Sequence, residues 1–239
     1  MIVILTGAGI SQESGLSTFR DAGGLWDKMR IEDVATPGAF RRNPDLVYEF
    51  YNTRRRQLRD VQPNAAHTAL AELERKSAEP VLVVTQNVDD LHERAGTRNL
   101  LHMHGELLRA RCVSCHTVVP WAEDLSVFDA CPNCGPIPGA AEGKTGRMRP
   151  HIVWFEEMPL YMEEIEQALA ECTTFVSVGT SGNVYPAAGF AAQARAAGAK
   201  VVEINMEPSL GAHYFHVGHY GPATQMVPAW VREHLEGAG

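Results

Sequence analysis

The residues best suited to chemistry fall in five short clusters. Cys112-x2-Cys115 and Cys131-x2-Cys134 are separated by fifteen residues, the spacing of a four-thiolate zinc ribbon. Four thiolates complete a tetrahedral Zn2+ and leave no position for water, so such a metal is structural, the alternatives being two disulfides or four free thiols. His102-Met103-His104-Gly105 offers a His-x-His metal pair, a single general base with an imidazole pKa of ~6.5, or two merely hydrogen-bonded histidines, and on a strand both would face one side. Just upstream, Thr85-Gln86-Asn87-Val88-Asp89-Asp90 supplies amides and carboxylates suited to orienting a sugar or a water. Gly7-Ala8-Gly9-Ile10-Ser11 has the glycines of a phosphate-approaching loop, but the next glycine is Gly15, off the usual dinucleotide spacing, which leaves a plain glycine turn as the alternative.

The fifth cluster is a helix face. At 100° per residue, Val47, Phe50, Tyr51, Arg54 and Leu58 lie within one arc of about 100°, so Arg54 sits in the middle of an apolar stripe with the Tyr51 hydroxyl one turn back. A guanidinium there needs an anion, from a ligand or from an internal Asp or Glu. Arg55 and Arg56 rotate away and are expected on a solvated face.

These groups must be positioned by a framework. Ile2–Leu5, Val81–Val84, Phe175–Val178 and Val201–Ile204 are short apolar runs rich in β-branched residues, expected as buried parallel strands. Leu100–Met103 and Ile152–Phe155 are weaker strand candidates. Helices are expected from Pro44 after an Asn43 cap, over Ala65–Arg75 after Asn64, over Leu160–Glu171, from Pro186 to a stop at Gly198, and around Val227–Leu235. Strands alternating with helices predict an α/β layered sheet, whose ligands bind at the carboxyl ends of the strands. Cys112–Arg149 breaks the alternation and is too poor in apolar residues for a core of its own, as expected of a metal-stapled insertion. Cys172, on the amphipathic helix, reads as a packing residue.

Composition narrows the class. The chain's 239 residues are 45% hydrophobic and 21% charged, which excludes a disordered or collagen-like chain. Its net charge of −8 argues against general affinity for nucleic acid or anionic membrane. No apolar run approaches the ~18 residues of a membrane helix. The N-terminus lacks the basic flank of a signal peptide and reads as a strand. Paired cysteines suited to a metal fit a reducing, cytoplasmic setting.

Taken in order, GAGIS with SGLSTFR (Gly7–Arg20), TQNVDDLHERAG (Thr85–Gly96), HMHGEL (His102–Leu107), the two cysteine pairs, RPHIVWF (Arg149–Phe155), GTS (Gly179–Ser181) and EIN (Glu203–Asn205) resemble the sirtuins, NAD-dependent protein-lysine deacylases, over nearly the whole chain. FYNTRRRQL and GTSGNVYPAAGF look like the bacterial branch of the class that removes acidic acyl groups. The resemblance implies a Rossmann-like NAD-binding part over 1–28, 61–108 and 150–239, a helical insertion over 29–60 and a zinc-ribbon insertion over 109–149. It implies NAD contacts from Gly7, Ala8, Gly9, Ile10, Ser11, Phe19, Arg20, Trp26, Gln86, Asn87, Val88, Asp89, Gly179, Thr180, Ser181, Asn205, Met206, Glu207 and Ala223. Catalysis would fall to His104 with Asn87 and Asp89, acyl recognition to Tyr51 and Arg54, and substrate backbone pairing to the segment holding Val153 and Phe155. The cysteines Cys112, Cys115, Cys131 and Cys134 would hold one structural Zn2+.

The implied reaction consumes NAD as a cosubstrate: the acyl oxygen of a modified lysine displaces nicotinamide, His104 takes a ribose hydroxyl proton, and acetyl, succinyl or malonyl passes to ADP-ribose. Acylated-lysine proteins are the implied partners, and the oligomeric state is left open. Protein ADP-ribosylation at the same NAD site, a zinc amidohydrolase built on the two histidines, and a zinc-ribbon nucleic-acid binder are the competing readings. Two positions depart from the family pattern. Glu156 stands where glycine usually follows Phe155, which bears on peptide preference, and Thr18 replaces a common aspartate.

Overall fold

The computed structural model describes residues 1–16, 30–134 and 146–237; Phe19, Arg20 and Trp26, expected at the NAD site, lie outside them. A six-stranded sheet is built from β1 (Ile2–Thr6), β2 (Val81–Thr85), β3 (Leu100–His102), β7 (Thr174–Val178), β8 (Lys200–Asn205) and β9 (Val217–Tyr220), in the order β3-β2-β1-β7-β8-β9. Every pairing is parallel. Counted within this sheet alone the order is 3-2-1-4-5-6, the doubly wound arrangement whose direction reverses between β1 and β7. The four strong apolar runs and Leu100–Met103 each mark one of these strands.

Both faces of the sheet are covered, which is why its strands read as continuous apolar runs rather than alternating ones. Ile2, Ile4, Val81 and Val83 pack with Leu70 and Leu73 of α5 (Ala65–Lys76) and Val227 and Trp230 of α9 (Ala223–Glu236). Their neighbours Val3, Leu5, Leu82 and Val84 turn the other way, onto Ile165 and Leu169 of α7 (Met162–Glu171) and Phe190 and Ala194 of α8 (Phe190–Ala196). Cys172 is buried in that second layer, as its place in the amphipathic pattern suggested. Among the described residues, no helix is long and apolar enough to cross a membrane.

A second sheet, order β5-β4-β6, is antiparallel and joins β4 (Gly105–Cys112) to β5 (Val118–Pro120) and β6 (Met148–Ile152). The strand expected at Ile152–Phe155 therefore ends where it was expected to begin. Pairing with β4 runs from Gly105↔Ile152 to Cys112↔Met148, so β6 takes in Arg149-Pro150-His151, too polar to register as an apolar run. The amides beyond it bond outside a sheet: Val153 N to His104 O and Phe155 N to Ala35 O.

Against this sheet lie α2 (Ile31–Val34), α3 (Pro37–Arg42) and α4 (Pro44–Leu58). α4 begins as its sequence demands: the Asn43 side chain accepts from Leu46 N, and Pro44 occupies a position where its missing amide costs nothing, a cap worth about 1 kcal/mol. Val47, Phe50, Tyr51 and Leu58 then bury one stripe against Leu107, Ala110 and Met148 of the small sheet.

Candidate active site

A cleft of about 780 Å3 opens at the carboxyl ends of the central parallel strands and runs between them and the α4 module. Its first wall is two glycine loops in contact. Gly7 follows β1 and opens the short helix α1 (Gly9–Gln12), while Gly179 follows β7 at φ +60°. Gly9 N donates to Gly179 O at 2.9 Å. A Cβ on Gly7 would sit 2.8 Å from Gly179 O, and one on Gly179 would sit 2.6 Å from Ile10 N. These glycines thus let two loops of the protein approach each other at the switch point, a use the ligand-directed reading of GAGIS does not include. Of the residues expected at the NAD site, all described ones line the cleft except Ile10, which is wholly buried beneath it. Met206 lines it while remaining exposed.

The floor is a polar network at the end of β2. Asn87 Nδ2 donates to Ser11 Oγ at 3.1 Å, and Ser11 Oγ donates to Asp89 Oδ2 at 3.0 Å. Asp89 Oδ1 accepts from Leu91 N at 3.2 Å at the start of α6 (Leu91–Ala95). Burial pushes the Asp89 carboxyl up to about 6, with the Leu91 and Ser11 bonds opposing it. Beneath Ser11 lies His67, whose Nε2 is 3.4 Å from the hydroxyl and whose Nδ1 accepts from Asn64 N in a capping box. Nδ1 also lies 3.1 Å from Asn64 Oδ1, and burial holds the ring neutral with a pKa of about 4. His67 was not among the expected site residues, though its position three residues after the Asn64 cap is the capping-box spacing. His92, wholly buried and 3.0 Å from Thr6 Oγ1, was missed as well.

The two histidines of HMHG part company. β3 ends at His102 and a turn closed by Gly105 at φ +83° follows, so the strand alternation that would align them does not operate. His102 Nδ1 is 3.1 Å from Asn87 O and its Nε2 is 2.8 Å from Glu93 Oε1. Both partners are acceptors only, so the ring carries both protons and is an imidazolium. Burial works against that charge, but Glu93 and the Asn87 carbonyl outweigh it and hold the pKa above its ordinary value. His104 has one such partner, Gln86 O, 3.1 Å from Nδ1. A carbonyl there fixes the proton on Nδ1 and leaves Nε2 with the lone pair, on a side chain that lines the cleft. Burial lowers its pKa, keeping that lone pair free near neutrality. With both nitrogens of His102 bonded within the protein, the single-base reading of the motif is the one this geometry suits, with His104 as the residue at the cleft.

Tyr51 and Arg54 reach the cleft from α4. The Tyr51 hydroxyl accepts from Trp154 Nε1 at 3.0 Å, and burial pushes its pKa upward, so its own proton stays available to donate. The Arg54 guanidinium stacks over Phe50 at 5.2 Å, and burial lowers its pKa to about 10, which still leaves it charged at neutral pH. Arg55 contradicts its expected solvated position. It is 1% exposed, donates to Leu107 O at 3.0 Å and Asn52 Oδ1 at 2.7 Å, and lies against β4. The helical wheel places it off the stripe, and the small sheet that packs against the stripe extends over this flank as well, through Leu107 O. Arg56 is exposed and pairs with Glu49 at 2.7 Å.

In the small sheet's module, the Sγ atoms of Cys112, Cys115, Cys131 and Cys134 lie within 4.8 Å of one another, and none forms a disulfide. A Cβ on Gly146 would stand 2.6 Å from Cys112 Sγ and 2.9 Å from Cys134 Sγ, so the backbone is drawn close around the thiols. Four convergent sulfurs with no S–S bond suit a tetrahedral Zn2+.

The Sir2 family model matches residues 7–186. An NAD-dependent protein deacylase of Pasteurella multocida is 55% identical over 98% of this chain and 97% of its own, and one of Salmonella typhimurium is 53% identical over 99% and 84%. A crystal structure of a Sir2 homologue in complex with NAD superposes with a TM-score of 0.85 at 35% identity, covering 99% of this chain and 90% of that one. A Sir2–p53 peptide–NAD+ structure gives 0.78 at 28% identity, covering 100% and 93%. With its sheet order, its cleft and these matches in agreement, the chain belongs to the Sir2 family of NAD-dependent enzymes.

Proposed function

We propose that the chain removes acetyl, succinyl and malonyl groups from protein lysines, with NAD consumed to give nicotinamide and 2′-O-acyl-ADP-ribose. The observation that carries this reading is the joint presence, in one cleft, of a neutral imidazole with its lone pair at Nε2 and of a charged guanidinium beside a tyrosine hydroxyl. Bound NAD supplies the ribose carbon from which the acyl oxygen displaces nicotinamide. His104 accepts a ribose hydroxyl proton at Nε2 so that the 2′-oxygen attacks the imidate carbon, and water then releases the lysine amine, leaving the acyl group on ADP-ribose. Ser11, Asn87 and Asp89 are already bonded to one another and meet the ribose side as a fixed polar surface, so little ordering is needed on binding. Tyr51 and Arg54 hold the terminal carboxylate of a succinyl or malonyl group through charge-assisted hydrogen bonds, whereas acetyl leaves them without that partner.

The amides of Val153, Trp154 and Phe155 are committed to His104 O, Glu157 Oε2 and Ala35 O. A substrate strand therefore pairs here by giving its own N–H groups to this segment's carbonyls.

Acetyl- and succinyl-lysine peptides incubated with and without NAD test the proposal. His104→Ala should lower kcat/KM by about 10²–10⁴-fold on both. Arg54→Met should cost desuccinylation about 10–100-fold more than deacetylation, the loss of a charge-assisted, partly desolvated contact. Equal losses would remove Arg54 from acyl recognition, and absence of any NAD-dependent product would end the proposal.

A further inference from the structure

We propose that Glu156 selects acyl-lysine segments that carry a positive charge beside the modified lysine, an inference that rests on the deacylase reading above. Two adjacent carboxylates follow the Val153–Phe155 segment at the cleft, and they are used in opposite ways. Glu157 is committed within the protein: Arg149 donates to it at 2.6 and 2.9 Å, Trp154 N at 2.9 Å, and Arg111 stands at 3.5 Å. Arg149 in turn stacks 3.3 Å from the Trp154 ring centroid. The clamp fixes the turn that leaves β6 and with it the backbone on either side.

Glu156 lines the same cleft, is exposed, and makes no ion pair among the described residues. Its φ is +75°, in the left-handed region where a glycine is at ease and a glutamate is disfavoured. Strain of this kind persists where the surroundings over-determine it and is concentrated at binding sites; here the Glu157 clamp provides the over-determination. The result is a carboxylate with no ion-pair partner among the described residues, at the rim of a cleft whose interior presents the Arg54 guanidinium. A ligand that matches this polarity places an acidic acyl tip inward and a cationic residue at the rim. A lysine or arginine flanking the acyl-lysine meets an opposite charge there, and an aspartate or glutamate meets a like one.

The contact is solvent-facing, so its effect is modest. One exposed pair corresponds to about 1.5–5-fold, and comparing attraction with repulsion widens that to about 10-fold. Matched peptides with Lys, Gln or Glu beside a single succinyl-lysine, assayed for kcat/KM, read it directly. The native enzyme should prefer the Lys-flanked over the Glu-flanked peptide by about 10-fold at low salt, with the gap closing near 1 M salt as screening shortens to ~3 Å. Glu156→Gln, which keeps the side chain's size and its backbone demand, should bring the ratio close to one, and Glu156→Gly should do the same. A ratio in Glu156→Gln equal to the native one, or one indifferent to salt, overturns the inference. If every peptide is deacylated at the same rate, only the role of Glu156 fails; if none yields NAD-dependent product, the deacylase reading fails first.

Discussion

Beneath the parallel-sheet side of the cleft, the buried polar groups bond mainly to one another: Thr6 donates to Thr85 at 2.9 Å, Ser11 donates to Asp89 at 3.0 Å, and His67 and His92, both held neutral by burial, lie with rings 5.0 Å apart, while His102 is paired with Glu93. Across the cleft the α4 module buries two guanidinium groups, Arg55 at 1% exposure and Arg149 at 6%. The first side draws its partners from strand ends that the sheet already fixes, such as Gln86 N on Thr6 O at 2.9 Å. The second side is tied over long sequence distances, Arg55 to Leu107, Asn52 to Leu125 at 2.8 Å, and the thiols across the chain. One side is thus rigid by topology and the other by a handful of side-chain ties, so the two should fail differently.

Removing the metal should expose the difference most strongly. Zinc bound to four thiolates contributes an apparent ~10–16 kcal/mol in small zinc modules, far beyond what the few apolar residues near the cysteines supply. Chelation, or Cys112→Ser, should abolish hydrogen-exchange protection in β4, β5 and β6 while β1, β2, β7 and β8 stay protected, with one Zn2+ per native chain by elemental analysis. Simultaneous loss of protection in both sheets would show that the module and the parallel sheet fold as one unit.

The same contrast governs what could be read from sequence. The strands of the parallel sheet announced themselves because both faces are covered, and uninterrupted apolar runs result. Asn43-Pro44 and Asn64 marked helix starts because capping is local chemistry. β6 was misplaced because Met148-Arg149-Pro150-His151 carries no apolar pattern; Arg149 is buried only by virtue of Glu157 and Trp154, and His151 by its place opposite Glu106. At the site, the tetrad spacing and the place of His104 at the cleft were legible, whereas the charge state of His102 depends on Glu93, nine residues away, and on a backbone carbonyl. Arg55 was misread because a helical wheel gives the arc residues share and not how far the covering layer reaches: the small sheet beneath the stripe extends to Arg55 through Leu107 O.

Arg55 and Arg56 separate a cation used inside the module from one at its surface. Arg55→Ala takes the side-chain donor from Leu107 O, leaves Asn52 Oδ1 with Leu125 N alone, and opens a cavity where the stem packed, a loss of about 3 kcal/mol. Arg56→Ala removes an exposed pair with Glu49 and should change stability by less than about 0.5 kcal/mol. Urea denaturation of the two variants checks the ordering, and equal effects would mean that Arg55 is as well hydrated in solution as Arg56.

The buried polar floor answers to pH, and with a definite sign. His67 has a folded pKa of about 4, whereas an unfolded histidine titrates near 6.5. Between these values the unfolded chain binds the extra proton, so the contribution of His67 to stability is complete above pH ~6.5 and is lost as pH falls toward 4. Asp89 works the other way: with a folded pKa of about 6 against an unfolded ~3.9, its burial is relieved as pH falls through the same window. The two oppose each other, and His92, held well below its ordinary value by burial, adds to the side of His67. Stability should therefore decline between pH 7 and 5, and His67→Gln, which cannot titrate, should flatten that decline by about 1 kcal/mol. An unaltered slope in the variant would place the acid sensitivity elsewhere, with His151 on β6, also held at about 4 by burial, as the group that moves it to the opposite side of the cleft.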